Sequence, residues 1–365
     1  MRKTLLFLFL AASLGGMAQE YESVIQQWRD SVRKATDAVI DGKVVMQGNN
    51  RMPLFWTVYG QEPADGRSLW ISLHGGGGTT AEVNNGQWRN QQFLYTPDEG
   101  VYVAPRAPWD AWDMWFQEPI DSMYLQLIRA MVSHYNVNPD KVYILGYSAG
   151  GDGIWRLAPR MADHWAAASM MAGHPGDVSL VSLRNLPFMI WMGGKDEAYN
   201  RNRLAAVRGS ELDSLQRQDS EGYIHETHIL ADKAHWMDRE DRAAIPWMAQ
   251  YRRNPWPRHL VWQQESVLKQ HFYWVSVPAD EMQRGKRVEL LVKDKTIEVL
   301  RCDYSSLTLR FSSELLSLKG NIKVLSHGKI LFKGRVKPSA DTFQRTLYQM
   351  QDPRMAAPVE LTVRL

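Results

Sequence analysis

The chain has 365 residues, 44% of them apolar and 23% charged, which suits two globular domains and excludes a disordered, collagen-like or coiled-coil protein. Lys plus Arg number 43 and Asp plus Glu 40, a net charge of +3, so the balance calls for neither nucleic acid nor an anionic membrane as partner.

Residues 1–18 read as a secretory signal peptide. Arg2 and Lys3 form a basic start, an apolar run extends to Leu14, and Gly16-Met17-Ala18 offers a small-x-small cleavage site. The apolar run is too short to span a bilayer, so the expectation is a periplasmic or secreted protein with no membrane insertion once the leader is removed. Cys302 is the only cysteine, which leaves no internal disulfide to form. It sits in an alternating pattern and reads as a small buried apolar residue.

Residues 21–40 predict a leading helix, and residues 42–60 a strand pair turned at Gly48-Asn49-Asn50. Short apolar runs at 69–73, 101–104, 142–145, 166–171 and 186–192 read as buried strands. Between them, residues 120–135 carry Ile120, Met123, Leu127, Ala130 and Met131 at helical spacing. Strands alternating with helices imply a largely parallel, doubly wound α/β sheet covered on both faces. All 15 tryptophans lie between Trp28 and Trp274. After Pro255 and Pro257 the pattern changes to short β-branched runs at 272–277, 288–292, 297–302, 307–311, 322–325, 330–332 and 359–363. These predict a C-terminal all-β sandwich. The expected division is therefore 19–254 for the α/β domain and 255–365 for the β domain.

The first chemical signal is Gly146-x-Ser148-x-Gly150, directly after an apolar strand. A nucleophilic serine needs a sharp strand-to-helix turn, and glycines on either side make that turn sterically possible. The competing reading is an ordinary glycine-rich turn. The second signal is His74 followed by Gly75 to Gly78, again at the end of a strand. Acyl transfer builds charge on a carbonyl oxygen, and glycines let backbone N–H groups approach it. Phosphate binding is the rival here, but neither a Gly-Lys-Ser/Thr ending nor a GxGxxG spacing is present. His74 is expected to shape the loop rather than to titrate.

An acid and then a histidine should follow in chain order. Asp196 stands on the loop after the strand at 186–192, and His235 on the loop after a strand near 223–230. Both positions fall at carboxyl ends of strands, where ligands bind in such sheets. Ser148, His235 and Asp196 are thus the candidate nucleophile, base and orienting acid. His225 and His228 fall within the strand, His174 precedes Asp196 and breaks the order, and Asp232 is expected at a loop surface. Arg106, Trp109, Trp112 and Trp115 follow the strand at 101–104 and, with Trp236, are candidates for a substrate rim; capping of the core is their alternative role. Asp238, Arg239, Glu240, Asp241 and Arg242 read as a solvated face. No His, Cys or carboxylate spacing suggests a metal.

These residues resemble the α/β-hydrolase superfamily, and within it exported bacterial esterases related to polyhydroxyalkanoate depolymerases and feruloyl esterases, with prolyl-oligopeptidase-like hydrolases as cousins. The resemblance covers roughly residues 50–252 and rests on residues 74–78, residues 146–151, Asp196 and His235-Trp236. It implies a serine hydrolase without cofactor, with an oxyanion hole made by the N–H of Ala149 and of Gly75 or Gly76. Two departures are the added β domain and the absence of the cysteine pattern of secreted fungal esterases. The expected substrate is a small or glycan-linked ester. A serine peptidase of the prolyl-oligopeptidase type and a non-catalytic glycan-binding protein on the same scaffold are the alternatives.

Overall fold

In the computed structural model the short apolar runs become strands, and their residues alternate between two covered faces. The structure describes residues 2–365, with side chains from residue 19 onward, so the expected leader at 1–18 lies outside the fully described residues. Helix α1 (Arg2–Gly42) precedes β1 (Val44–Gln47) and β2 (Asn50–Tyr59), the strand pair expected around Gly48. Then follow β3 (Arg67–Leu73), α2 (Ala81–Gln91), β4 (Gly100–Pro105), α3 (Pro119–Tyr135), β5 (Val137–Tyr147), α4 (Ala149–Arg160), β6 (Ala167–Met171), β7 (Phe188–Gly193), α5 (Arg201–Gln218), β8 (His225–Leu230) and the short α6 (Ala244–Met248).

The eight strands lie in the order β1-β2-β4-β3-β5-β6-β7-β8, antiparallel at β1–β2 and β2–β4 and parallel from β4 onward. Parallel strands buried on both sides must be apolar at nearly every position. Leu69, Ile71, Val103, Ile144 and Ile190 face one core with α3 and α4, while Trp70, Tyr102, Tyr143, Leu145 and Met189 face a second core that includes Met248 of α6. No helix among the described residues is long and apolar enough to cross a membrane.

Beyond Pro257 the chain forms two further sheets. One contains β9 (His259–Gln263), β12 (Arg287–Lys293), β13 (Thr296–Cys302), β15 (Asn321–Ser326) and β16 (Lys329–Arg335); the other contains β10 (His271–Phe272), β11 (Val275–Ser276), β14 (Ser306–Phe311) and β17 (Val359–Arg364). Leu290, Val299 and Val324 of the first share a core with Leu307, Leu309 and Val363 of the second. Three details differ from the expectation of an all-β region. Helix α7 (Ala340–Met350) interrupts it, N-capped by the Ser339 hydroxyl accepting from the Thr342 N–H. The pairing of β13 with β15 is parallel. The run at 272–277 is a hairpin, because Tyr273 turns the chain through φ 49°. Cys302 is half-buried rather than enclosed.

Charges join the large sheet to this region. The buried Arg253 guanidinium donates to Asp140 Oδ1 at 2.7 Å and to the Asp163 carbonyl at 2.9 Å, and it meets Asp352 at 2.7 Å. Arg354 donates to the other Asp140 oxygen at 2.7 Å. Every charge at this junction has an opposite partner, which is the condition for burying it.

Candidate active site

Strand β5 ends at Tyr147 and α4 begins at Ala149, so a single residue, Ser148, makes the turn. Its backbone stands at φ 57° and ψ −119°, a conformation costly for any side chain and kept only where the surroundings impose it. The imposition is visible. The Ser148 N–H donates to the Met171 carbonyl at 2.9 Å, pinning the turn to β6. A Cβ on Gly146 would stand 2.5 Å from the Gly150 carbonyl oxygen, and one on Gly150 would stand 2.3 Å from that of Leu73. Neither glycine can be replaced without moving backbone.

His235 and Asp196 reach this serine from two loops that are stitched together. The Gly194 N–H donates to the Leu230 carbonyl at 2.7 Å and the Lys195 N–H to that of Lys233 at 2.8 Å. His235 Nε2 lies 2.9 Å from Ser148 Oγ, and its Nδ1 lies 2.6 Å from Asp196 Oδ2. The Asp196 side chain is 2% exposed, so its charge is screened little by water. Tyr147 supplies a further tie: its hydroxyl donates to the His235 carbonyl at 2.7 Å and accepts from the Met237 N–H at 3.0 Å. Sequence reasoning missed this tyrosine, although its place beside the serine was a signal.

The glycine run after β3 passes under the serine. A Cβ on Gly75 would come within 3.2 Å of Ser148 Cβ, and one on Gly76, at φ 111°, would collide with Asn84 Oδ1. Asn84 holds the run by accepting from the Gly77 N–H and donating to the Gly77 carbonyl, both at 3.0 Å. Among the described residues, no protein hydrogen bond takes the N–H of Gly75, Gly76 or Ala149. His74 is wholly buried. Its Nε2 accepts from the Ala107 N–H at 3.1 Å, so Nδ1 carries the proton and donates to the Gly75 carbonyl at 2.6 Å. Burial pushes its pKa down to about 3, so it stays neutral and braces the loop.

The expected rim divides. Trp112 and Trp236 are 66% and 48% exposed and line clefts on either side of the serine. Trp115 is fully buried instead, its indole N–H donating to the His74 carbonyl at 2.9 Å, and Trp109 packs half-buried on the core. Arg106 is also buried, bound to Asn85 and the Ala107 carbonyl at 2.8 Å and to Asp110. It braces the same glycine loop, and its charge is spent on protein partners. The supposed solvated face is also only partly exposed: Asp241 is buried and accepts from the Tyr95 hydroxyl. His225 and His228 lie in β8, bonded to Asp213 and stacked on Trp191 respectively, and Asp232 is exposed.

Two clefts meet at Ser148. One of about 650 Å³ is lined by Gln87, Arg89, Phe93, His235 and Trp236. The other, of about 460 Å³, is lined by Trp112, Phe116, Asp152, Arg156, His174, Tyr199 and Arg201. The two arginines were not expected from the sequence, because α4 and the start of α5 carry no motif that marks them. A still larger cleft of about 800 Å³, between Trp191 and Arg242, does not reach the serine. Among the described residues no group of three or more His, Cys, Asp or Glu side chains is placed to hold a metal.

The strand order, with its antiparallel opening and parallel remainder, carries a serine turn after β5, an acid after β7 and a histidine after β8. The fold is that of an α/β hydrolase. No family model and no curated protein matches the chain. Solved structures do. A thermostable esterase is 20% identical at a TM-score of 0.46, over 57% of this chain and 62% of that one, so the match spans under two thirds of that esterase. A ferulic acid esterase is 15% identical at 0.40, over 57% and 95% of the two chains. An acetyl xylan esterase from Aspergillus awamori is 11% identical at 0.37, over 54% and 93%.

Proposed function

We propose that the chain is a serine-dependent carboxylic ester hydrolase. The observation that carries this reading is the continuous contact from Asp196 through His235 to Ser148 Oγ, at 2.6 and 2.9 Å. Ser148 Oγ attacks the ester carbonyl while His235 Nε2 takes its proton; the bond to the alcohol then breaks, and His235 returns that proton to the departing oxygen. Water enters, His235 takes one of its protons, and the acyl group leaves as a carboxylic acid as Ser148 regains its hydrogen. Asp196 holds the Nδ1 proton and balances the imidazolium that forms in each half. Negative charge on the carbonyl oxygen falls to the N–H groups of Ala149 and of Gly75 or Gly76. That of Ala149 also opens a 12-residue helix, whose dipole favours an anion there.

The leader read at residues 1–18 supports a periplasmic or secreted site of action. The exposed rings of Trp112 and Trp236 support an acyl group on a glycan, since indole faces stack on sugars and aryl groups alike. One observation favours the peptidase alternative: Arg156 and Arg201 provide the clamp that a peptide carboxylate would need.

A fluorophosphonate should label the folded protein once, and digestion should place the adduct on Ser148. Labelling at another residue, or none, rejects the reading. Natural alkyl esters should then exceed peptides in kcat/KM; peptide cleavage above that of every alkyl ester tested hands the case to the peptidase.

A further inference from the structure

Buried arginines in this molecule normally face a carboxylate. Arg160 pairs with Asp121, Arg184 with Asp219 at 2.6 Å and Arg310 with Glu360 at 3.1 Å. In the cleft beside Trp112 two partly buried arginines depart from this habit, Arg156 fully and Arg201 in part. Arg156 donates to the Pro175 carbonyl at 3.1 Å and lies 4.4 Å over the Phe116 ring, yet no carboxylate among the described residues is within 4.0 Å of it. Arg201 is 3.6 Å from Asp196 Oδ1, whose other oxygen already serves His235, and its buried Nε has no acceptor.

From the adjoining cleft Asp177 and Glu265 also face Arg156, but neither comes within 4.0 Å of it. Asp152 is the one acid in the lining of the cleft beside Trp112, and its Oδ1 already accepts from the His174 N–H at 2.6 Å. His174 has its pKa lowered by burial, so it adds no charge at neutral pH. A guanidinium withdrawn from water with donors unmatched is costly, and a planar anion offering two oxygens relieves that cost best.

We propose that this cleft is a carboxylate-binding subsite, and that the preferred ester carries a carboxylate which docks on Arg156 and Arg201 while Ser148 attacks the ester carbonyl. The proposal rests on the esterase reading and narrows it to acidic esters. The carboxylate sits either on the acyl side, as in a half-ester of a dicarboxylic acid, or on the alcohol side, as in an acylated uronic acid. A volume of about 460 Å³ takes a group of either size.

Two matched pairs of substrates separate these sources: 4-nitrophenyl butyrate against mono-4-nitrophenyl glutarate, and O-acetyl glucoside against O-acetyl glucuronide. In at least one pair the charged member should lead by about 10-fold in kcat/KM, and that ratio should fall about 10-fold or more in Arg156→Gln. Arg156 is the position to change because it does not touch Asp196. Raising salt on the wild-type protein should shrink the same ratio, which decides the matter if the variant does not fold. Preference for the neutral member in both pairs, or a ratio unmoved by Arg156→Gln and by salt, overturns the subsite. If no ester is cleaved and Ser148 is not labelled, the esterase reading fails by itself. Calorimetry with glutarate and glucuronate then decides the subsite: binding lost with Arg156 supports it, and no binding to wild type overturns it.

Discussion

The junction around Arg253 and the cleft around Arg156 treat the same side chain in opposite ways. At the junction one guanidinium is shared between Asp140 and Asp352, and Arg354 fills the remaining Asp140 oxygen. Beside Ser148 two guanidiniums are held by a carbonyl, two rings and a half-committed carboxylate. The contrast teaches that pairing marks a charge as part of the framework. A charge left incompletely paired beside the proposed nucleophile is available to something that arrives from outside.

The sharpest way to separate the two regions is to remove one residue from each. His235→Ala should lower kcat by roughly 10⁴–10⁶-fold, because serine, histidine and acid act as a unit in the proposed mechanism. Its denaturant midpoint should remain close to wild type, since His235 is half-exposed and supports no core. A variant that kept a tenth of wild-type kcat would assign the base to another histidine. Arg253→Ala should do the reverse. It leaves buried Asp352 without its ion-pair partner and Asp140 with only the half-exposed Arg354, and should cost about 3–5 kcal/mol of stability. Equilibrium urea unfolding measures this, and a loss below about 1 kcal/mol would show that the junction charges are better hydrated than their burial indicates.

The smallest effect tests a histidine kept neutral by its surroundings, found once beside the candidate site and once in the C-terminal sheets. Burial holds the pKa of His74 at about 3, and burial followed by the Arg310 charge holds that of His271 at about 4. Such a histidine is neutral when folded but gains a proton when unfolded below its ordinary value of about 6.5. Its stabilisation is therefore complete above about pH 6.5 and is lost as pH falls toward the folded value. At pH 5 each should have cost up to about 2 kcal/mol relative to pH 7. Urea midpoints at the two pH values should differ less in His74→Gln than in wild type; equal differences would mean that His74 is already protonated in the fold.

Much of this was legible in the sequence because it was written in local patterns. The inner parallel strands are largely apolar runs, and Ser148 and Asp196 each follow one, while His235 follows the more polar edge strand β8. Their meeting at hydrogen-bond distance required only the chain order. The rim was less legible. Trp112 and Trp115 are three residues apart on one loop, yet one faces solvent and the other is sealed against His74, a difference set by a carbonyl 41 residues away. Arg106 looked free in sequence for the same reason, since Asn85 and Asp110 take its donors only in the fold. Arg156 and Arg201 come together from two helices and left no local mark. Helix α7 was within reach, because Ser339 is a ready N-cap and Phe343 and Leu347 share one face, but strands on both sides masked it.

The packing of α1 against α7 has a consequence for the order of events during synthesis. Trp28 and Val32 share a small cluster with Phe343, Leu347 and Ala356, elements separated by roughly 300 residues of chain, so this contact carries a high loop-closure cost. At ribosomal speeds of about 5–20 residues per second, the Trp28–Val32 end of α1 waits roughly 15–60 seconds for α7, although the later turns of α1 meet α3 well before. Through that interval it is an exposed sticky surface on a growing chain, and a factor that shields unfolded segments would find it early. Closure of this pair is a late step, by which time the eight-stranded sheet and its serine turn have had time to form.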